Sequence, residues 1–313
     1  MKIDSKDIKD YGCTLIWENT TSVSYNLSSV LKYPKRTTVQ FRNWAEQDGI
    51  DPDLTEFKTE PKKVSLMFLM EANSADTFWT QFRALFADVS NHGYRTFDLD
   101  EFGTFQYRYD TTSTYKVPVP FNQGRNMTVF TLDFIEDNPT FSGTFSPIGG
   151  INLTGQMTIN DIDLGSFGCH VENGTDDLLK YPAAKNPFSD GSKVDLSTIR
   201  LQHKTVTLSL WQVAKTKAEF LRNHAALWHH LSRTGEQELY FNNVGRTGFY
   251  YNDCTAYTLY QFSDGHCGAK FNLSITIPVW TWAEGGGSIY VYALWDDVFG
   301  FITDEQGKIL TLE

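Results

Sequence analysis

The chain repeats itself in tandem, and that constrains its fold more than any other feature. Tyr11-Gly12-Cys13 returns as Phe167-Gly168-Cys169, and Leu31-Lys32-Tyr33-Pro34 returns letter for letter as Leu179-Lys180-Tyr181-Pro182. Asp48-Gly49 followed by Asp53-Leu54-Thr55 returns as Asp190-Gly191 followed by Asp195-Leu196-Ser197. Lys62-Lys63-Val64-Ser65-Leu66 is matched by Lys204-Thr205-Val206-Thr207-Leu208. Order and register persist after early insertions in the first copy. A period of roughly 140 residues is too long for a solenoid unit and is the size of one ordinary domain. The expected layout is a first domain over 1–138, a linker over 139–156, a second domain over 157–283 and a C-terminal extension over 284–313.

The length of 313 residues fits two domains, and 41% hydrophobic residues supply two cores. A net charge of −11 argues against general nucleic-acid binding, which needs a basic stripe to displace counterions from phosphates. The opening Met1-Lys2-Ile3-Asp4-Ser5-Lys6-Asp7 has no apolar core of a secretory signal, and no apolar run is long enough for a membrane helix. The four cysteines, Cys13, Cys169, Cys254 and Cys267, include no closely spaced pair and read as buried free thiols.

Each copy reads as strands, one helix, then strands. Val64, Leu66, Phe68 and Met70 alternate, as do Val206, Leu208 and Leu210, which is the period of a strand with one buried face. Phe78, Trp79, Phe82, Leu85, Phe86 and Val89 fall at the spacing of one buried helical face. Phe220, Leu221, His224, Leu227, Trp228 and Leu231 do the same in the second copy. Ser74 and Thr216 are the expected N-caps, the latter with Glu219 in a capping box, and Gly93 and Gly235 the expected stops. Further strands are expected around Phe97 and Leu99, at Tyr107-Arg108-Tyr109, over Phe130, Leu132 and Phe134, and at their second-copy counterparts. The fold class is therefore mainly β with one helix per repeat. Gly285-Gly286-Gly287 reads as a hinge, followed by a hairpin of Phe299 to Thr303 against Lys308 to Thr311.

Chemistry-bearing patterns are sparse. His203, His224, His229 and His230 cluster near the second helix, but the first copy has Phe82 and Ser90 near matching places, so no metal site is expected. There is no nucleophile elbow, phosphate loop or dinucleotide fingerprint, and no cofactor is expected. Asp51 with Asp53, or Asp296 with Asp297, read as turn caps before glycosidase carboxylates. No catalytic residue is nominated. Trp280, Trp282, Tyr290, Tyr292 and Trp295, with Phe299 and Phe301, form an aromatic tail outside the repeat and read as an interface. The competing reading is a carbohydrate-binding surface module, with or without hydrolase activity, that stacks sugars on Trp282 and Trp295.

The Lys-Tyr-Pro turn, the Asp-Gly plus Asp-Leu-Thr/Ser loop, the Val-x-Leu strand and the duplicated order of elements together resemble the distal-tail and baseplate-hub proteins of tailed bacteriophages and prophages. The resemblance implies two tandem tail-tube-like units, each a split β-barrel or sandwich flanked by a helix. It implies a virion tail component, assembled in the bacterial host cytoplasm, forming a ring that joins the tail tube to tip or receptor-binding proteins. Six units would close such a ring: three chains supply them as a trimer with pseudo-sixfold symmetry, whereas six chains would give a two-tiered or double-width hexameric ring. DNA would then be a passive passenger through an acidic channel, and no membrane insertion is implied.

Overall fold

The structure, a computed structural model, describes residues 1–16, 27–116, 126–139, 146–147, 157–185, 199–241, 244–261 and 265–281, with two short strands at 295–296 and 300–301. The first half contains β1 (Lys2–Ile3), β2 (Lys6–Asp7), β3 (Cys13–Leu15), a one-turn helix α1 (Ser28–Leu31), β4 (Phe41–Arg42) and β5 (Asp51–Pro52). It continues with β6 (Lys62–Ala72), α2 (Ala75–Val89), β7 (Arg95–Asp98), β8 (Thr104–Lys116) and β9 (Asn126–Glu136). The second half contains β10 (Met157–Ile159), β11 (Ile162–Asp163), β12 (Cys169–Asn173), α3 (Thr175–Leu179), β13 (Lys204–Ala214) and α4 (Lys217–Leu231). It ends with β14 (Gln237–Phe241), β15 (Gly245–Gln261) and β16 (Cys267–Ile277). The protein is mainly β, and its sheets are antiparallel.

Each half builds one seven-stranded sheet, ordered β2-β1-β7-β8-β9-β6-β3 in the first and β11-β10-β14-β15-β16-β13-β12 in the second. Alternation fixes the register at the centre. Val64 faces Phe134, Leu66 faces Leu132 and Phe68 faces Phe130, while Val206 faces Ile275, Leu208 faces Leu273 and Leu210 faces Phe271. All twelve side chains are buried. A one-residue slip would turn every one of them toward solvent. The third central strand, β8 or β15, carries two register shifts in each half, and such bulges bend and twist a strand. Among the described residues no pairing joins the two ends of either sheet.

The helices begin where their capping residues place them. Ser74 Oγ accepts from Thr77 N at 3.1 Å, and Thr216 Oγ1 accepts from Glu219 N at 3.2 Å. Glu219 reaches back to Lys215 N, one residue before the N-cap. The stops differ from expectation. The C-caps are Ser90 and Ser232, whose backbone N–H groups bond Phe86 O and Trp228 O; Gly93 and Gly235 follow three residues later at positive φ. α2 packs on β6 and β9, and α4 on β13 and β16.

Both aromatic-Gly-Cys corners are 3-10 turns closed by a left-handed glycine, Gly12 at φ 67° and Gly168 at φ 69°. A Cβ on Gly168 would stand 2.3 Å from Val213 O, so only glycine fits there. All four cysteines are free and buried. Among the described residues, no helix is long and apolar enough to cross a membrane. The expected Gly285-Gly286-Gly287 hinge lies outside the described residues, as does the strand expected at Lys308 to Thr311. Gly300–Phe301 pairs instead with Trp295–Asp296, upstream of it.

Candidate functional site

Between β3 and β6, and again between β12 and β13, the chain departs from its own sheet as an arm. The two arms leave in the same way. Lys62, at the start of β6, donates from Nζ to Val30 O at 2.8 Å and Lys32 O at 3.5 Å. Lys204, at the start of β13, donates to Leu178 O at 3.4 Å and to Lys180 O. Val30 and Leu178 are both fully buried beneath their turns. One difference is electrostatic. Lys62 also pairs with buried Glu136 at 2.9 Å, whereas Ile277 holds the matching register position opposite Lys204. Burial pulls the Lys62 ammonium below its ordinary range, opposed by the Glu136 charge.

The first arm crosses to the second half. Tyr33 enters between α4 and the sheet and is 0% exposed. Its ring stacks on His224 at 4.3 Å and on Trp228 at 5.3 Å, and meets Phe271 and Tyr257 edge-on at 5.7 and 6.4 Å. Its hydroxyl donates to His224 O at 2.9 Å. Burial raises the phenol far above its usual range and lowers the His224 imidazole to about 3, so both stay neutral.

Hydrogen bonds follow the arm outward. Tyr251 OH donates to Pro34 O, Arg36 N to Asn252 O, and Leu259 N to Ser28 Oγ, at 2.8, 2.8 and 3.0 Å. The far loop of this arm is fastened too: Ile50 N donates to Pro278 O, Gly49 N to Leu201 O, and Lys185 Nζ to the carbonyls of Trp44, Gln47 and Gly49.

The second arm holds the same residues in the opposite situation. Tyr181, the counterpart of Tyr33, is 72% exposed. It leans on Trp280, ring centroids 4.4 Å apart, and Trp280 Nε1 donates to Leu178 O at 3.5 Å. In the first half, the register positions of His224, Trp228, Tyr251 and Tyr257 are occupied by Phe82, Phe86, Tyr109 and Tyr115, with Phe130 in place of Phe271. Phe82 lies 4.5 Å from Phe86 and 6.1 Å from both Tyr115 and Phe130. Among the described residues no arm lies on this aromatic surface: Tyr115 is 44% exposed, and Phe82 and Phe86 are half-buried. The buried helical face expected over Trp79, Phe82 and Phe86 is therefore buried only at Phe78, Leu85 and Val89. In α4 the same face is closed because Tyr33 sits on it.

Of the expected interface residues, Trp280 is described and lies under the second arm. Trp282, Tyr290, Tyr292 and Phe299 lie outside the described residues, and of Trp295 and Phe301 only the strand pairing is described. Asp53 caps its own turn, with Oδ1 accepting from Thr55 Oγ1 at 2.6 Å and from Thr55 N at 3.1 Å. Those bonds hold its carboxyl below the usual range. Sequence reasoning missed the arm contact, although a tetrapeptide identical in two otherwise diverged copies was its signal.

No family model matches the chain, and no curated protein does. Among solved structures, the crystal structure of the SPP1 Dit (gp 19.1) protein, described as a paradigm of hub adsorption apparatus in Gram-positive infecting phages, matches at 11% identity. The match covers 88% of this chain and 96% of that chain, with a TM-score of 0.29. A superposition that loose carries no argument about function, which rests here on the chain's own sequence and geometry.

Proposed function

We propose that the protein is a non-catalytic structural subunit of a phage or prophage tail tip, a distal-tail or baseplate-hub component that closes into a ring. The supporting observation is the pair of seven-stranded sheets of the same order, joined by an arm that the first half lays on the second. Tandem copies of one tail-tube-like domain, held by a repeated joint, are what a pseudo-symmetric ring needs. The Leu-Lys-Tyr-Pro turn and the duplicated strand-helix-strand order support placing that ring between tail tube and tip proteins. Three chains supply six such units; six chains supply a ring of double width. Multi-angle light scattering and negative-stain imaging of purified protein test the reading. The expected result is closed particles with sixfold appearance, and antibody labelling of phage particles at the tail tip. A strict monomer at high micromolar concentration, together with unlabelled tails, counts against it.

A further inference from the structure

We propose that the second arm, around Tyr181, docks on the α2–β8 aromatic surface of another copy of this chain, reproducing between molecules the joint that Tyr33 makes within one. The inference deepens the self-assembly reading above by naming the two surfaces and their polarity. Three observations carry it together. Both arms leave their sheets on the same lysine-to-carbonyl anchors, so the second arm is presented as the first is. Both turns carry the same four residues, Leu-Lys-Tyr-Pro. The receiving surface exists twice, once filled by Tyr33 and once partly exposed, with Phe82, Phe86 and Tyr115 where the filled copy has His224, Trp228 and Tyr257.

Within its own chain the second arm is tied at Lys185 and Leu201 to the loop of the first arm, and Tyr181 rests on Trp280, just past β16 of the second half, and not on the first half. The exposed α2–β8 surface and the exposed arm tyrosine are the two ends that a second copy would join. A contact between unlike surfaces propagates head to tail and forms a closed ring when the rotation per unit divides the circle. The rotation is set by the internal joint: if the intermolecular joint copies it, every half stands in the same relation to its neighbours. Pro182 O then accepts from Tyr109 OH, as Pro34 O accepts from Tyr251 OH, and Ala184 N donates to Asp110 O, as Arg36 N donates to Asn252 O.

The test is a cysteine pair at that last contact. Ala184→Cys and Asp110→Cys are both at exposed positions, and their counterparts Arg36 and Asn252 are in backbone hydrogen-bond contact, within the reach of a disulfide. Mild oxidation of a mixture of the two single variants is expected to give a disulfide-linked dimer, and the double variant a ladder of linked chains. Neither single variant alone is expected to link. Tyr181→Ala in the double variant should reduce linking at least tenfold while leaving the far-ultraviolet circular dichroism unchanged. If light scattering shows assembly but no 110–184 link forms, the joint is refuted and the assembly reading survives. If the protein is monomeric and no link forms, both fall. Self-association that persists undiminished in Tyr181→Ala also overturns the joint.

Discussion

At the scale of single residues, one difference between the halves bears on stability: His224, under an arm tyrosine, stands at the register position of Phe82. A phenylalanine fills the space without a proton to gain. The imidazole is buried against Tyr33 and Tyr257, is hydrogen-bonded to the Leu31 backbone, and faces the Lys62 charge; burial is the largest cause of its lowered pKa of about 3. In the unfolded chain the same group titrates near 6.5. Protonation therefore favours unfolding as pH falls: the stability that the neutral ring supports is complete above about pH 6.5 and is lost progressively down to about pH 3. His224→Phe should flatten the pH dependence of stability in this window by up to about 1.4 kcal/mol per pH unit, one proton's worth. It should also cost about 1 kcal/mol at neutral pH through the lost hydrogen bond. Urea unfolding between pH 4 and 7.5 measures both. A slope equal to wild type would mean that His224 is not held neutral. Some slope should remain, because burial also lowers His230, to about 4, alongside the charges of Arg233 and His229.

At the scale of elements, the anchors that launch the arms make unequal demands. Lys62 is buried among Val30 O, Lys32 O and Glu136, whereas Lys204 is half-buried and has Ile277 opposite it in the ladder. Lys62→Met leaves the Glu136 carboxylate buried with no cation, a situation that costs about 3–5 kcal/mol. Lys204→Met removes an exposed hydrogen bond to Lys180 O and one to Leu178 O, which Trp280 Nε1 still satisfies, and should cost about 1 kcal/mol. Equal losses in denaturant midpoint at unchanged m-value would refute the distinction. The strands and helices around these anchors were legible because alternation and 3.6-residue spacing are local signals. Ser74 and Thr216 were legible for the same reason. The helix stops were not, because α2 and α4 reach their C-caps at Ser90 and Ser232, three residues before the glycines. The arm was illegible as a contact, since Tyr33 and His224 are brought together only by the path of the chain between halves. Identical letters in Leu31-Lys32-Tyr33-Pro34 and Leu179-Lys180-Tyr181-Pro182 marked importance without saying that one tyrosine is buried and the other exposed.

At the scale of the whole molecule, the arm decides whether the two halves behave as one. The buried side chains of both sheets form one continuous cluster, and the halves are joined chiefly by Tyr33, the Pro34 and Arg36 backbone and the loop around Gly49, with a smaller contact of Lys217 on the Phe102 ring. That loop lies so close to the second half that a Cβ on Gly49 would stand 1.9 Å from Pro278 O. Replacing Tyr33 by alanine empties a fully buried aromatic site and removes its hydrogen bond to His224 O, a change of about 3–5 kcal/mol. That loss falls on the coupling between halves more than on either sheet. Calorimetry should therefore show one transition for wild type and two for Tyr33→Ala. A single transition with an unchanged midpoint in the variant would show that the halves are coupled elsewhere. Tyr181→Ala is the necessary contrast, because the same side chain is exposed in one molecule. Its effect should be absent at low protein concentration and grow with concentration, since only association then depends on it. The pair of tyrosines thus separates what holds one chain together from what holds chains to each other.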